Sequence, residues 1–289
     1  MYDSVDLIGS PINSDLRQRI AKIETLPTLP EIYNQLVSEL SSDNVSMKRV
    51  ASIVSQDVAI SAKLLQVVNS AFFGLSTEIQ SVQQTVNYLG IDTVKGVVLS
   101  AGVYAGAADC AGIPGFSPAE LYKRGVAVGS KARFIAYSLG LARNQIDNAL
   151  TAGLLHDVGK LVLLAGFADE FKAACNHSEK DNIPLHIAEE KVLGANDAAI
   201  GGFLLSSWGL SISVIQAVDL HYEPSKGKAP ELDTTAAVHL AYASEHNQKH
   251  SRTDVTHTAF DTTYTDALGI TDQLAQFEDL TAEAVTQDN

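Results

Sequence analysis

The apolar residues of this chain recur at helical spacing over most of its length. Ile32, Leu36, Val37 and Leu40, for example, would lie on one face of an α-helix. The alternation of apolar and polar residues that is typical of half-buried strands does not persist over any length, and we find no hairpin motif. The pattern predicts an all-α fold, a multi-helix bundle with helices over residues 30–42, 46–56, 58–70, 81–89, 93–107, 118–139, 145–166, 167–180, 184–193, 196–208, 211–221 and 234–246.

Serine, proline and glycine residues mark where several of these helices begin and end. Ser46 and Ser117 precede apolar stretches, and a serine hydroxyl in that position can accept a backbone N–H of the first turn. Pro118 follows at the first helical position, where its missing N–H costs nothing. Gly90 separates two predicted helices, and we interpret it as a helix stop.

A hydrophobic loop follows one of the predicted helices. We interpret Asn69-Ser70 as the C-terminal turn of that helix, with a local capping role. Phe72 and Phe73 come next, and we predict that they anchor the loop in the core; a contact with a partner is the alternative. Trp208 is predicted to be a core anchor as well.

Two polar loops divide the chain, at residues 109–117 and 224–233. The first is rich in glycine and proline, so it is a natural link between two helical lobes. We predict four parts: an N-terminal extension (1–19), an N-terminal helical lobe (20–115), a second helical lobe that holds His156 (116–247), and a C-terminal extension (248–289) with a last amphipathic helix in 272–286.

The net charge of −14 restricts the classes of partner. Affinity for nucleic acid comes mainly from cationic contacts to phosphate, and the chain has neither a stripe of lysine and arginine nor an aromatic platform for bases. The same charge repels anionic lipid. We therefore expect no nucleic-acid partner and no membrane partner.

The targeting features of the sequence favour the cytoplasm. Residues 1–10 carry two aspartates and no basic segment, so they do not resemble a signal peptide. The longest apolar candidate, 94–108, falls short of the roughly 18 residues that a spanning helix needs. Cys110 and Cys175 are too few for a disulfide framework, and we expect two reduced, partly buried thiols.

The candidate chemistry is concentrated in Leu154-Leu155-His156-Asp157-Val158-Gly159-Lys160. A histidine followed directly by an aspartate can supply two ligands to a metal ion, which suggests hydrolase chemistry. Obvious further ligands are scarce in the chain, which suggests a scaffold that has lost that chemistry. Phosphate-binding loops and nucleophile elbows are absent from the sequence.

Several segments together resemble the signature of the HDOD domain. They are 26–30 (Leu-Pro-Thr-Leu-Pro), 69–74 (Asn-Ser-Ala-Phe-Phe-Gly), Ile79, 81–82 (Ser-Val) and 89–90 (Leu-Gly). The resemblance extends from about residue 20 to about residue 245. It implies an all-α bacterial signalling module related to the HD metal-dependent phosphohydrolases, a class for which catalytic activity is not established.

The resemblance also indicates where metal ligands would stand. His156 and Asp157 match the central His-Asp step of the HD phosphohydrolases. Arg124 stands where the first histidine is expected, and Asp197 stands where related sequences carry the histidine of a Gly-x-x-His motif. His221 matches a later histidine.

Two tyrosines complete the comparison with the phosphohydrolases. Tyr222 stands where a second late histidine is expected, and Tyr242 stands at the position of the closing aspartate. The surviving candidate ligands are therefore His156, Asp157 and His221, with Asp197 as a conceivable fourth.

Arg124 argues against a metal, because a guanidinium stays protonated and cannot ligate. We predict that Arg124 fills the former metal site and forms a charge-assisted pair with Asp157, Asp197 or both. His156 and Asp157 then form a structural pair; a working metal centre and a metal-free ligand site are the alternatives. Lys160 is predicted to be a solvated or salt-bridged helix residue, although it could also contact a phosphate.

The other histidines show no paired metal spacing. We interpret His221 on its own as a satisfied core or cleft residue, whereas surface or packing roles are predicted for His177, His186, His239, His246, His250 and His257.

The sequence thus predicts a regulatory HDOD-like protein of the bacterial cytoplasm, without catalysis, that acts through signalling protein partners or a bound ligand. No cofactor is expected. The first alternative is a divergent phosphohydrolase that uses His156, Asp157 and His221, with Lys160 nearby, to hold Mn, Fe, Mg or Zn. The second is a sensor that binds a small nucleotide without turnover. Residues 222–226 lack the Gly-Tyr-Pro element of the cyclic-di-GMP phosphodiesterases, which argues against that activity.

Overall fold

The structure is a computed structural model that describes residues 12–23, 29–40, 46–73, 75–107, 113–227, 229–248, 260–275 and 277. Within these residues the chain is helical and contains no β-strand, which confirms the all-α prediction. The helices are α1 (Ser14–Ala21), α2 (Glu31–Leu40), α3 (Met47–Val54), α4 (Val58–Val68), α5 (Val82–Leu89), α6 (Ile91–Gly106), α7 (Pro118–Ser138), α8 (Arg143–Leu155), α9 (Val158–Gly166), α10 (Ala168–Asp181), α11 (Leu185–Leu193), α12 (Asp197–Ser207), α13 (Ile212–Asp219), α14 (Thr234–Gln248) and α15 (Thr262–Leu268).

Some predicted features lie outside the described residues. They include Cys110 and Gly74, together with residues 26–28 of the first motif. Most of the last predicted helix and the side chains of His246, His250 and His257 also lie outside them. Cys175 is a half-buried free thiol, and burial raises its pKa to about 11.

The predicted helix ends are confirmed where serine or glycine marks them. The Ser46 hydroxyl accepts the N–H of Arg49 at the start of α3. Ser117 forms a capping box with Glu120 ahead of Pro118, so both orphan backbone donors at the start of α7 are bonded. Gly90 ends α5 with φ of 82°, a conformation that glycine adopts without strain.

The hydrophobic loop after α4 is anchored as predicted. Phe73 is buried, whereas Phe72 is partly exposed. The Asn69 side chain both donates to the carbonyl of Ile79 and accepts its N–H, each at 2.8 Å, so it ties the loop to the segment before α5. Trp208 is only half-buried and packs against the edge of the core rather than inside it.

The single helix predicted over 145–166 is wrong, because the helix breaks at His156 and Asp157. α8 ends at Leu155 and α9 begins at Val158. Residues 143–166 together are long and apolar enough to cross a membrane, a longer candidate than 94–108, but 89% of their most apolar window is buried inside the protein. Burial of that degree is typical of the central helices of a core.

Close helix crossings bring the central elements together. A Cβ added to Gly153 of α8 would lie 2.5 Å from the Cα of Gly129 on α7, so these helices touch backbone to backbone. A Cβ added to Gly159 of α9 would lie 1.9 Å from the carbonyl oxygen of Asp197 on α12. The two crossings place α7, α9 and α12 around the break between α8 and α9.

The two ends of the chain contain helices that the apolar pattern does not predict. α1 lies mostly in the segment predicted as an extension, and it buries Leu16 and Ile20. α15 precedes the last predicted helix and buries Tyr264 and Thr265. Both ends of the described chain therefore contribute to the folded body.

Candidate functional site

The break between α8 and α9 holds the residues that the sequence singles out. His156 and Asp157 form the break itself, and Lys160 stands one turn into α9. Asp197 is the first residue of α12, and His221 follows α13. All five are 4% exposed or less, so this is a buried polar centre within an apolar core.

Lys160 lies at the middle of this centre. Its Nζ donates to Asp157 Oδ1 at 2.6 Å, to Asp197 Oδ2 at 2.9 Å and to the Tyr222 hydroxyl at 2.9 Å. Tyr222 in turn donates to Asp197 Oδ1 at 3.0 Å. An ammonium has three N–H donors, and all three are used. Of the two roles predicted for Lys160, solvated or salt-bridged, the structure shows the second, and the salt bridges are buried.

Arg124 reaches the same carboxylate from α7. Its Nε donates to Asp157 Oδ2 at 2.7 Å. The ion pair between Arg124 and Asp157 that the sequence predicts is therefore confirmed, while the cation that the structure pairs with Asp197 is Lys160. Each oxygen of Asp157 now accepts from a different cation.

The charges in the centre stabilise one another. Burial by itself would raise the pKa of Asp157, but Arg124, His156 and Lys160 outweigh it and hold that pKa well below its usual value. Burial opposes the charge of Lys160 too, yet Asp157 and Asp197 raise its pKa well above the usual value. Two carboxylates and two cations form a balanced, ionised cluster.

Glu189 is a buried acid of this centre that sequence analysis misses. Its Oε2 accepts the backbone N–H of Asp197 at 2.8 Å. Burial, followed by the nearby charge of Asp197, raises its pKa well above the usual value, which favours the protonated acid. Its neighbours Glu190 and Lys191 are charged, so the local sequence resembles a solvated helix face.

His156 and His221 both use Nδ1 to bond a backbone carbonyl. Nδ1 of His156 lies 2.8 Å from the oxygen of Gly153, and Nδ1 of His221 lies 2.7 Å from that of Val218. A carbonyl only accepts, so Nδ1 carries the proton in both rings. Nε2 of His221 is buried without a hydrogen-bond partner, whereas Nε2 of His156 lies 3.3 Å from Asp157 Oδ2, so the predicted pair of His156 and Asp157 is in contact. Sequence analysis predicts a satisfied His221, and the structure satisfies only one of its two nitrogens.

Aromatic rings surround the two histidines. The Tyr242 ring lies 5.6 Å from that of His156 and 4.8 Å from that of His221. The His186 ring stacks on that of Tyr222, with 4.2 Å between the ring centroids. The sequence predicts a surface or packing role for His186 but not its place at this site. His177, in contrast, stands on the surface of α10 beside Asp181.

His239 fills the predicted packing role with both of its nitrogens bonded. Nδ1 donates to the carbonyl of His221 at 2.8 Å, and Nε2 accepts the N–H of Asp261 at 3.0 Å. This buried imidazole therefore links the site to the C-terminal segment that begins at residue 260.

The donor set does not fit a divalent metal of the kind that HD phosphohydrolases hold. Such a metal needs at least three ligands with free lone pairs. Nε2 of His221 is free, but Nε2 of His156 lies 3.3 Å from Asp157. The cations of Lys160 and Arg124 stand directly beside the aspartates, where they would repel a divalent ion. Across the described residues, no cluster of three or more histidine, cysteine, aspartate or glutamate side chains is arranged to hold a metal ion.

The buried histidines predict how stability depends on pH. Burial, with a smaller effect of His156, lowers the pKa of His221 from 6.5 to about 3. The unfolded state then binds more protons in that range, so stability is complete above about pH 6.5 and is lost as pH falls toward 3. We expect His221→Gln to flatten the fall of the urea midpoint between about pH 6.5 and pH 5.

The half-buried His177 provides a comparison for this pH measurement. It lies beside Asp181 and outside the buried centre, so His177→Gln tests whether the loss of any histidine changes the slope as His221→Gln does. Burial also lowers the pKa of His186 to about 4, so a smaller slope should remain in His221→Gln. Parallel pH profiles for the wild type and His221→Gln would contradict the buried, neutral state of His221.

Curated proteins resemble this chain over parts of their length. An uncharacterised protein of Treponema pallidum is 25% identical over 206 residues, which are 70% of this chain and 38% of that protein. The cyclic di-GMP phosphodiesterase CdgJ of Vibrio cholerae is 34% identical over 91 residues, 32% of this chain and 19% of its own length. The chain thus matches well under half the length of these relatives.

Solved structures share the fold over nearly the whole chain. A Shewanella amazonensis protein named as a candidate phosphohydrolase has a TM-score of 0.69 at 21% identity, covering 93% of this chain and 94% of its own. An HDOD domain protein of unknown function from Geobacter sulfurreducens has a TM-score of 0.66 at 20% identity, covering 93% and 96%. A Marinobacter aquaeolei protein named as a candidate signal-transduction protein has a TM-score of 0.67 at 22% identity, covering 99% and 62%.

The family profile extends across the site. The HDOD domain matches residues 26–224, a range that contains Arg124, the His-Asp step, Asp197 and His221. Tyr242 and the C-terminal segment lie beyond it. Since the match spans well over half of the sequence and agrees with the fold, the chain belongs to the HDOD domain family.

Proposed function

We propose that this protein is a regulatory HDOD module of the bacterial cytoplasm that has no catalytic metal centre and acts through protein partners or a bound ligand. The observation that supports this most directly is the position of Lys160. Its ammonium lies between the carboxylates of Asp157 and Asp197, bonded to both, where a catalytic centre would need a divalent metal.

Electrostatics favours the lysine over a metal as long as the network is intact. A divalent ion about 4 Å from a unit positive charge is repelled by about 8 kcal/mol at an effective dielectric constant of about 20. Arg124 and Lys160 both stand within hydrogen-bond distance of Asp157, so both would have to withdraw. A metal would also have to break the bond from Tyr222 to Asp197.

A metal-dependent phosphohydrolase is the second candidate, and one observation favours it. His156 and His221 each bond a backbone carbonyl through Nδ1, which leaves a buried Nε2 without a hydrogen-bond partner as the nitrogen for a metal, although that of His156 lies 3.3 Å from Asp157 Oδ2. The name of the Shewanella relative also suggests this activity, although the likeness to that protein is one of fold.

Metal content distinguishes the two candidates. We expect the tag-free protein, purified without chelator and then incubated with Mn²⁺, Fe²⁺ or Zn²⁺, to retain far less than one equivalent after gel filtration. Elemental mass spectrometry gives the ratio, and hydrolysis of bis-p-nitrophenyl phosphate gives the activity. Near-stoichiometric metal that disappears in His156→Ala, together with hydrolysis, would support the phosphohydrolase instead.

A further inference from the structure

A cavity of about 340 Å³ lies beside the ion-pair centre. It is lined by Tyr222, by α14 with Tyr242, and by the start of the C-terminal segment with Phe260 and Asp261. Binding cavities for small molecules begin at about this volume. The cavity therefore lies between the second helical lobe and a segment outside the HDOD match.

Two of the aromatic side chains that line this cavity, Tyr222 and His239, have their polar atoms bonded within the protein. The Tyr222 hydroxyl is bonded inward to Lys160 and Asp197. Both nitrogens of His239 are bonded to the backbone. Tyr222 and Tyr242 meet edge to face at 5.1 Å, so the rings are held in place by one another.

The charge on the described lining of the cavity is negative. Glu223 and Asp261 line it, and no lysine or arginine among the described residues does. Although burial opposes ionisation, hydrogen bonds from Ser225 outweigh it and lower the pKa of Asp261. His186 is neutral near pH 7, since burial lowers its pKa to about 4.

Both carboxylates can still accept a hydrogen bond from a ligand. Glu223 pairs with Lys226 at the half-exposed rim through Oε2, at 2.6 Å. Asp261 accepts the N–H groups of Ser225 and Tyr264. Each carboxylate has about four lone-pair sites, so one or two bonds leave room for more. The balanced cluster behind Tyr222 adds no net charge.

We propose that this cavity binds a small organic cation, an amine with an aromatic or apolar body. The ammonium group would be placed against Glu223 and Asp261, and the body would pack on the rings of Tyr242 and Phe260, since His186 already stacks on Tyr222. Aromatic rings attract cations, and the attraction grows as water is excluded. A phosphate group would be repelled by the same carboxylates, which disfavours a nucleotide here. The site does not depend on the metal status of Asp157.

Three probes with one aromatic body and different charges test this proposal: benzylamine, benzyl alcohol and phenyl phosphate, titrated calorimetrically into the full chain at pH 7. We expect benzylamine to bind about tenfold more tightly than benzyl alcohol, and phenyl phosphate to bind least. Equal affinities, a preference for phenyl phosphate, or no benzylamine binding at millimolar concentration would each overturn the proposal.

Two variants locate the binding, and one serves as a control. Glu223→Gln keeps the shape of the side chain and should weaken benzylamine binding about fivefold while leaving benzyl alcohol unchanged. Phe260→Leu keeps an apolar side chain without the ring, and it should also weaken benzylamine more than benzyl alcohol. Glu179→Gln removes a charge from the exposed face of α10 and should change nothing. If Glu179→Gln weakens binding as much as Glu223→Gln, the effect is one of overall charge and the proposed site is wrong.

Discussion

Lys160→Ala is expected to destabilise the protein by about 3–5 kcal/mol, because it leaves two carboxylates buried without their shared cation. Asp157 and Asp197 are 1% exposed or less, so water cannot replace the lost ammonium. Arg124 would still pair with Asp157. Asp197 would lose the Lys160 ammonium and keep the hydrogen bond from the Tyr222 hydroxyl. Urea unfolding monitored by circular dichroism measures the loss.

The surface lysine Lys172 provides a matched control. It stands exposed on α10, and Lys172→Ala should change the free energy of unfolding by no more than about 0.5 kcal/mol. The loss in Lys160→Ala should also shrink at acidic pH, since protonated carboxyl groups need no cation. A loss below about 1 kcal/mol at pH 7 would mean that the buried ammonium is not what holds the two carboxylates.

Metal binding by the same variant tests whether Lys160 excludes a metal, as the proposed function requires. Without Lys160, three ligands for one ion could come from Asp197, His156 and His221, while Arg124 stays paired with Asp157. We expect Mn²⁺ to raise the melting temperature of Lys160→Ala and to leave that of the wild type unchanged, because an ion that binds only the folded state stabilises it. If Mn²⁺ raises the melting temperature of the wild type as much as that of Lys160→Ala, the lysine does not exclude a metal.

The fold was predictable because local and global preferences agree along the chain. Ser46, Ser117 and Gly90 mark helix ends by their own chemistry, and the apolar residues between them repeat at the helical period. The short helices at both ends lack this support. Each has only two large apolar residues, Leu16 and Ile20 in α1 and Tyr264 and Leu268 in α15, which is too few for a clear periodic pattern, so docking against the core decides that they form.

The site was predictable only in part, because the sequence identifies the charged residues but not which of them are buried together. Arg124 at a ligand position indicated a partner for a carboxylate, and its bond to Asp157 is present. Lys160 follows Asp157 by one turn in any helix, but its second bond, to Asp197, depends on how closely α9 and α12 cross. The burial of Glu189 beside Asp197 has no local sequence signature.

Gly159→Ala is expected to disrupt that crossing and to destabilise the protein by about 3 kcal/mol or more, at or above the usual range for overpacking. The added Cβ would lie 1.9 Å from the carbonyl oxygen of Asp197 and 2.8 Å from the backbone nitrogen of Gly201. Neither atom belongs to a flexible side chain, so α9 and α12 must move apart as whole helices. The movement would draw Lys160 away from Asp197 and lengthen a bond that is now 2.9 Å.

The single tryptophan of the chain reports this displacement directly, because Trp208 caps the C-terminal end of α12. We expect Gly159→Ala to shift its emission and to lower the urea midpoint together. Gly106→Ala is the matched control, since a Cβ on Gly106 meets no atom within 4 Å. Replacing that glycine restricts the unfolded chain and should be neutral or stabilising by about 0.4–1 kcal/mol. If both alanine variants behave alike, the close approach of α9 and α12 is not what places Lys160 between the two carboxylates.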